Sequence, residues 1–178
     1  MTDLPTPTEP CAAEVPPPQS RVFAIALASV LLIVFLYWVQ LPVSFAFDPN
    51  EEKCLPDLHL SLMLHHHPTT VHDGDLVFWK PFGPLAYIKQ RFVLKQVAGV
   101  AGDHLEVKGE TVLINGKPVA QGLALAQLYH ATPQQLQRDE VIPAGKLFVI
   151  GTHPHSDDSR YWGYLDVAAL DGRAFKVF

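Results

Sequence analysis

From Val22 to Val39 the chain reads V-F-A-I-A-L-A-S-V-L-L-I-V-F-L-Y-W-V, and Ser29 is the only polar side chain in that run. Extended to Leu41 as a helix rising about 1.5 Å per residue, it covers the roughly 30 Å hydrocarbon core of a bilayer. Tyr37 and Trp38 stand at its C-terminal end, where amphipathic rings favour the membrane interface. A cleavable secretory leader would have a shorter apolar region and a basic start, and Val43-Ser44-Phe45 before Ala46 is a poor cleavage site. Residues 21–41 are therefore expected to be a transmembrane signal anchor. Arg21 is the one charge at the N-terminal flank, whereas Glu51, Glu52 and Lys53 on the far side are net acidic. The positive-inside rule then places the N-terminus in the cytoplasm and the bulk of the chain outside it.

The anchor divides the rest. Residues 1–20 are rich in proline, carry Asp3, Glu9 and Glu14, and have no Lys or Arg. A segment so poor in apolar side chains cannot build a core, and a disordered cytoplasmic tail is expected. Of the 178 residues, 42–178 remain for one modest domain. A net charge of −5 implies no basic surface for nucleic acid. Cys11 and Cys54 fall on opposite sides of the anchor, so no disulfide can join them.

Residues 42–178 read as mainly β, with the many short strands and turns of a barrel or sandwich. Asp75–Lys80 is a strand after the turn Asp73-Gly74, and residues 87–100 hold one or two more. His104–Val107 and Thr111–Ile114 follow, and Asn115-Gly116 is a hairpin turn signal. The run 58–64 also has strand character. Gln- and Ala-rich residues 120–139 are expected to contain one short helix. Residues 141–145 form a turn, 146–150 a strand, and 174–177 the last strand.

Within this pattern Val93 to Asp103 is V-L-K-Q-V-A-G-V-A-G-D. Alternate side chains on a strand share a face, so Lys95 shares its face with Val93 and Val97. Desolvation on such a face favours a neutral amine, which can act as a general base. The plain alternative is an edge lysine whose stem packs while its ammonium reaches water.

Two further segments complete a pattern: Lys53-Cys54-Leu55-Pro56, and Gly151 to Gly163, G-T-H-P-H-S-D-D-S-R-Y-W-G. Together they resemble the type I signal peptidase superfamily. That family places a nucleophile shortly after an N-terminal anchor, then a K-x-V-x-G-x-x-G-D box, then an N-S-x-D-S-R-Y-x-G box. Lys95 to Asp103 matches the first box in full. Ser156 through Asp158, Ser159, Arg160 and Tyr161 to Gly163 match the second, with His155 where the family usually has Asn. There is no S-M-x-P-T motif. Lys53-Cys54-Leu55-Pro56 instead resembles the K-S-I/L-P start of the TraF-type peptidases of plasmid conjugation, with cysteine in the serine position.

The resemblance implies a signal-peptidase-like β domain working by a Cys–Lys dyad, with Cys54 as nucleophile and Lys95 as base. Ser156 would orient the lysine, and Asp158 and Arg160 would brace the site. The Cys54 N–H would serve the oxyanion hole, while Glu52 stands where ordinary members supply a hydroxyl. Partners would be the lipid bilayer and a membrane-bound pilin precursor or other preprotein, together with conjugative transfer-apparatus proteins, at the inner membrane. Some TraF-type members join pilin ends into a ring, so cyclisation through an acyl-enzyme is a further implied outcome. No cofactor is implied.

Two alternatives stand beside this. Ser61, in Ser61-Leu62-Met63, is an alternative nucleophile, as in an ordinary signal peptidase. A non-catalytic β domain that binds pilin or assembly partners is the other. His65, His66, His67, His72, His153 and His155 have metal-ligand chemistry. Consecutive histidines alternate faces on a strand, however, so no metal site is expected.

Overall fold

The computed structural model describes residues 19–40, 42–47, 54–55 and 58–177. The proline-rich tail, Cys11, Glu52, Lys53 and Pro56 lie outside these residues. The chain divides after residue 41 into two units. In the first, α1 (Gln19–Gln40) carries no acidic side chain in its first turn and no basic one in its last. Its window Arg21–Trp38 has a mean hydropathy of 2.2. It is long and apolar enough to cross a membrane.

The second unit is mainly β, as expected. A seven-stranded antiparallel sheet is built from β1 (Val43–Phe47), β2 (Leu60–Leu64), β3 (Leu76–Trp79), β4 (Val93–Gly99), β9 (Lys146–Ile150), β10 (Leu165–Asp166) and β11 (Gly172–Lys176). Their spatial order is β1-β2-β11-β3-β4-β9-β10. A four-stranded sheet, ordered β7-β6-β5-β8, holds β5 (His104–Lys108), β6 (Thr111–Ile114), β7 (Lys117–Gln121) and β8 (Arg138–Val141). The Asn115-Gly116 turn has φ of 50° and 75°, the left-handed pair that a tight hairpin needs.

Period-two patterning explains the burial. In β4, Val93, Lys95 and Val97 are all buried while Leu94 and Gln96 are half-exposed. Val93 and Val97 join Val77, Trp79, Leu147, Val149 and Leu165 in one core cluster. Burying each such aliphatic side chain contributes about 1.5–3 kcal/mol. A second cluster spans both sheets, with Ala98, Phe148 and Ile150 against Leu105, Val107, Val112 and Ile114. The sheets meet there because β4 bulges between Val97 and Gly99. A Cβ on Gly99 would lie 2.7 Å from Ile142 Cδ1 and 2.9 Å from Ile114 Cδ1, so a larger residue there would require both isoleucine ends to shift.

The Gly102-Asp103 turn is held from several sides. Asp103 Oδ2 accepts the Val100 N–H at 2.8 Å, and its Oδ1 accepts from Asn115 Nδ2 at 2.8 Å. The Asp103 carbonyl takes the Ile142 N–H at 2.8 Å. Thus one end of the lysine segment is a strand that carries Lys95, and the other is a braced corner between the two sheets.

Two local expectations are corrected. Residues 122–137 form a succession of turns with no helix, because Pro133, Gly122 and the Gln135 and Gln137 side-chain bonds to the backbone favour turns. The strand expected over 146–150 is preceded by β8, where residues 138–140 pair with β5. Of the one or two strands expected within residues 87–100, the structure has one, β4, which begins at Val93 after the irregular residues 87–92.

Candidate functional site

β4 delivers Lys95 into the protein rather than to an edge. The residue is 2% exposed, and it lies opposite Val77 on β3. Its Nζ donates to Ser156 Oγ at 2.7 Å, and Ser156 is fully buried. Among the described residues, no carboxylate lies within salt-bridge distance of Lys95.

Ser156 is fixed by the turn Gly151–Asp158. Its own N–H donates to the His153 carbonyl at 3.0 Å. Asp158 caps the short helix α2 (Ser159–Trp162), its carboxylate accepting the Arg160 N–H at 3.2 Å and the Gly151 N–H at 3.0 Å. The same carboxylate holds Arg160 in a fork, Nε to Oδ1 and Nη2 to Oδ2, both at 2.8 Å. Both residues are buried. Arg160 also donates to the carbonyls of Ser156 at 3.2 Å and Gly122 at 3.1 Å. Burial works against its charge, but the bonds to Asp158 outweigh it and hold the guanidinium above its ordinary range. Ser159 Oγ accepts the Val149 N–H at 3.0 Å, which ties the turn to β9. A single carboxylate–guanidinium pair thus holds the turn that carries Ser156.

Cys54 is a half-buried free thiol. Its carbonyl accepts the His153 N–H at 3.1 Å, so the segment after the anchor is laid against the same turn. Gly151 permits this contact. A Cβ there would sit 2.2 Å from Ser156 Oγ and 2.6 Å from the Cys54 carbonyl oxygen. One missing side chain therefore lets the Cys54 backbone and the Ser156 hydroxyl pack at one point.

Cys54, Lys95 and Ser61 line one cavity of about 560 Å³, with Leu55, Leu58 and Met63 supplying apolar wall. Ser61 lies on β2, buried at 2% and paired in register with Ala46. Asp157 lines the same cavity. Its carboxylate receives two phenol hydroxyls, Tyr87 at 2.6 Å and Tyr129 at 2.5 Å. Burial first, and then the bonds to Asp157, push both phenols well above the usual tyrosine range. Tyr129 stacks on Tyr161 with centroids 5.4 Å apart and planes at 12°. Tyr161 in turn accepts the Leu125 N–H at 3.2 Å, so residues 123–137 are pinned over the turn.

Sequence reasoning missed Asp157, Tyr87, Tyr129 and the close packing at Gly151. Tyr87 and Tyr129 sit in irregular segments with no periodicity, and nothing in one sequence says that they converge. The position of Asp157 beside Ser156 was the one available signal.

The histidines diverge. His65 packs edge-on against Phe78 at 5.0 Å, and its Nε2 meets Ser44 Oγ at 2.6 Å. His67 Nε2 meets the Val167 carbonyl at 3.1 Å. Among the described residues, no group of three His, Cys, Asp or Glu is placed to hold a metal ion.

A buried lysine bonded to a buried serine at the wall of a cavity that also holds a free thiol is an arrangement compatible with a hydrolase that has no histidine base. The family model "Signal peptidase, peptidase S26" matches residues 20–178. This chain belongs to that family and is a signal peptidase I-like peptidase. It is 28% identical to signal peptidase I of Leptolyngbya laminosa, over 99% of this chain and 91% of that one. Signal peptidase I V of Bacillus subtilis is 30% identical over 55% of this chain and 61% of its own length. The probable signal peptidase I-2 of Synechocystis is 32% identical over 59% and 47%. Against the latter two, the matched part is about half to two thirds of the relative. A solved signal peptidase I from Enterococcus faecalis aligns at a TM-score of 0.38 and 24% identity, over 59% of this chain and 97% of that one.

Proposed function

We propose that the protein is a membrane-anchored peptidase of the TraF-like type, in which Cys54 is the nucleophile and Lys95 the general base. Its substrate is a membrane-bound pilin precursor of a conjugative apparatus, met outside the cytoplasm at the inner membrane. The observation that carries the reading is the 2.7 Å bond from Lys95 Nζ to Ser156 Oγ at the wall of the cavity that also holds Cys54. That bond orients the Lys95 amine for its role as the base that takes the thiol proton.

The steps follow from these groups. Lys95 takes the Cys54 proton, and the thiolate attacks the scissile carbonyl. The Cys54 N–H meets the oxyanion, and the C–N bond breaks as the leaving amine regains the proton. A thioester remains on Cys54. Water releases a linear product; the pilin's own N-terminal amine, held close, instead releases a ring. Thioesters favour amines over water, and a closed cavity excludes water further, so joining of the pilin ends is the outcome we assign.

Ser61 lines the same cavity, and that observation keeps it as the second candidate nucleophile. Intact-mass spectrometry of the pilin decides both questions. With the unsubstituted protein the mature pilin is expected to be one water lighter than the linear chain, with no free N-terminus. Cys54→Ala should leave the precursor unprocessed, and Ser61→Ala should process it normally. An active Cys54→Ala with an inactive Ser61→Ala would reverse the assignment. A linear mature mass would remove the joining step and leave the peptidase.

A further inference from the structure

The carboxylate of Asp157 is 8% exposed and lines the cavity that holds Cys54 and Lys95. Among the described residues, no Lys, Arg or His nitrogen lies within 4 Å of it. Among the described residues, the cavity lining also holds His59, His155 and Arg91 besides Lys95, and Arg91 is exposed and stacks over Phe92 at 5.2 Å. Asp158, its sequence neighbour, has its charge met by Arg160. Among the described residues, the side-chain partners of Asp157 are the two phenols. A buried carboxylate without a counter-ion is costly, and two neutral donors offset that cost only in part. An ionised carboxylate has about four acceptor sites, so two remain after Tyr87 and Tyr129 are served. The phenols do more than solvate. They hold the plane of the carboxylate from residues 70 and 28 positions away in sequence, and the Tyr129 ring is itself fixed on Tyr161. A fixed anion with unused acceptor sites, facing the cavity that takes the peptide, is half of an ion pair.

We propose that Asp157 is a specificity-determining residue that takes a cationic group of the substrate within a few residues of the reacting carbonyl. This rests on the peptidase reading above for the identity of the occupant. The chemistry is that of an ammonium or guanidinium. It can be carried by a Lys or Arg side chain of the peptide being cut, or by a free α-amine at a chain end. Apolar wall from Leu55, Leu58 and Ile88 suits the methylene stem of a long basic side chain.

Full-length, detergent-solubilised Cys54→Ala protein tests this by binding, without turnover. The probes are short fluorescein-labelled, alanine-rich peptides, acetylated and amidated, that carry one Lys, norleucine or Glu at successive positions. At one or two positions the Lys peptide should bind about tenfold more tightly than its norleucine twin, with Glu weakest. Adding Asp157→Asn should collapse the Lys-to-norleucine ratio to about one. Adding Tyr129→Phe, which keeps the charge, should preserve a ratio well above one. Equal binding of Lys and norleucine peptides at every position, or no binding, overturns the proposal in the folded parent protein alone. A preference that survives Asp157→Asn also overturns it. Unacetylated peptides lacking Lys separate the two sources. A gain on exposing the α-amine that Asp157→Asn abolishes assigns the site to a chain end, and a gain confined to internal Lys assigns it to a side chain. Turnover of the pilin precursor by unsubstituted protein is measured in parallel. Cation preference without turnover would sink the peptidase reading and leave the site standing.

Discussion

Lys95 shows how much one side chain's surroundings decide. Lysines are almost never fully buried unless paired with a carboxylate, yet this one is 2% exposed and bonded to a serine hydroxyl. An ammonium has three donors to satisfy, and among the described residues the Ser156 hydroxyl is its one hydrogen-bond partner. Lys95→Arg keeps a positive charge but cannot deprotonate. It should lose about 10²–10⁴-fold in precursor processing, the usual worth of a general base. Lys95→Met, close in volume and without charge, should be as inactive while keeping the thermal midpoint near the parent's. Substantial activity in Lys95→Arg would show that the charge alone matters there. The alternation Val93, Lys95, Val97 made the buried face of this lysine legible from sequence, because side-chain period on a strand is a local property. Asp157 was not legible in the same way. Its meaning comes from Tyr87 and Tyr129, which only the folded chain brings to it.

At the scale of elements, the turn from Gly151 to α2 brings together the Cys54 backbone, Lys95 and the Asp158–Arg160 pair. It holds Ser156 under Lys95, accepts the weight of Cys54 through the His153 N–H, and is closed by the Asp158–Arg160 fork. Gly151→Ala tests that convergence. The new methyl would meet Ser156 Oγ at 2.2 Å and the Cys54 carbonyl at 2.6 Å, and backbone cannot yield as a flexible side chain does. A stability loss of about 1–3 kcal/mol is expected from overpacking. Processing should fall about 10²-fold even in the folded fraction, since a shift of an ångström at the reacting groups suffices. Denaturant titration and single-turnover rates on folded protein separate the two effects; full activity with lowered stability would show that the close packing is only structural. The last motif box was readable in the sequence because its residues are contiguous. Strand β1 was not read, although Val43, Phe45 and Phe47 alternate. As an edge strand it leaves both phenylalanines exposed, so the alternation carries no apolar-inside signal. The Gln- and Ala-rich composition of residues 120–139 points to a short helix, yet residues 122–137 hold turns. Their fixed position instead comes from Tyr129 on Tyr161, a tertiary contact that overrides propensity.

For the whole molecule, the decisive quantity is which side of the bilayer the β unit occupies, since a peptidase can act only where its precursor emerges. The apolar window of α1 fixes that a crossing is possible, and the direction rests on charge. Arg21 is the only basic residue before the run, and the first 20 residues contain none. The opposite flank carries Glu51 and Glu52 against Lys53. Acidic residues weigh little in the positive-inside rule, so the bias comes down to one arginine against one lysine, with Arg21 immediately at the apolar edge and Lys53 well beyond the end of α1. Proximity favours a cytoplasmic N-terminus. A reporter that works only outside the cytoplasm, fused after Phe178, is therefore expected to be active, and a cytoplasm-only reporter at the same place silent. Arg21→Glu should reduce the first signal several-fold by removing the nearer charge, whereas Lys53→Gln should leave it unchanged or raise it. Protection of the β unit from added protease in spheroplasts would reverse the orientation, and with it the side of the membrane on which any precursor could be met.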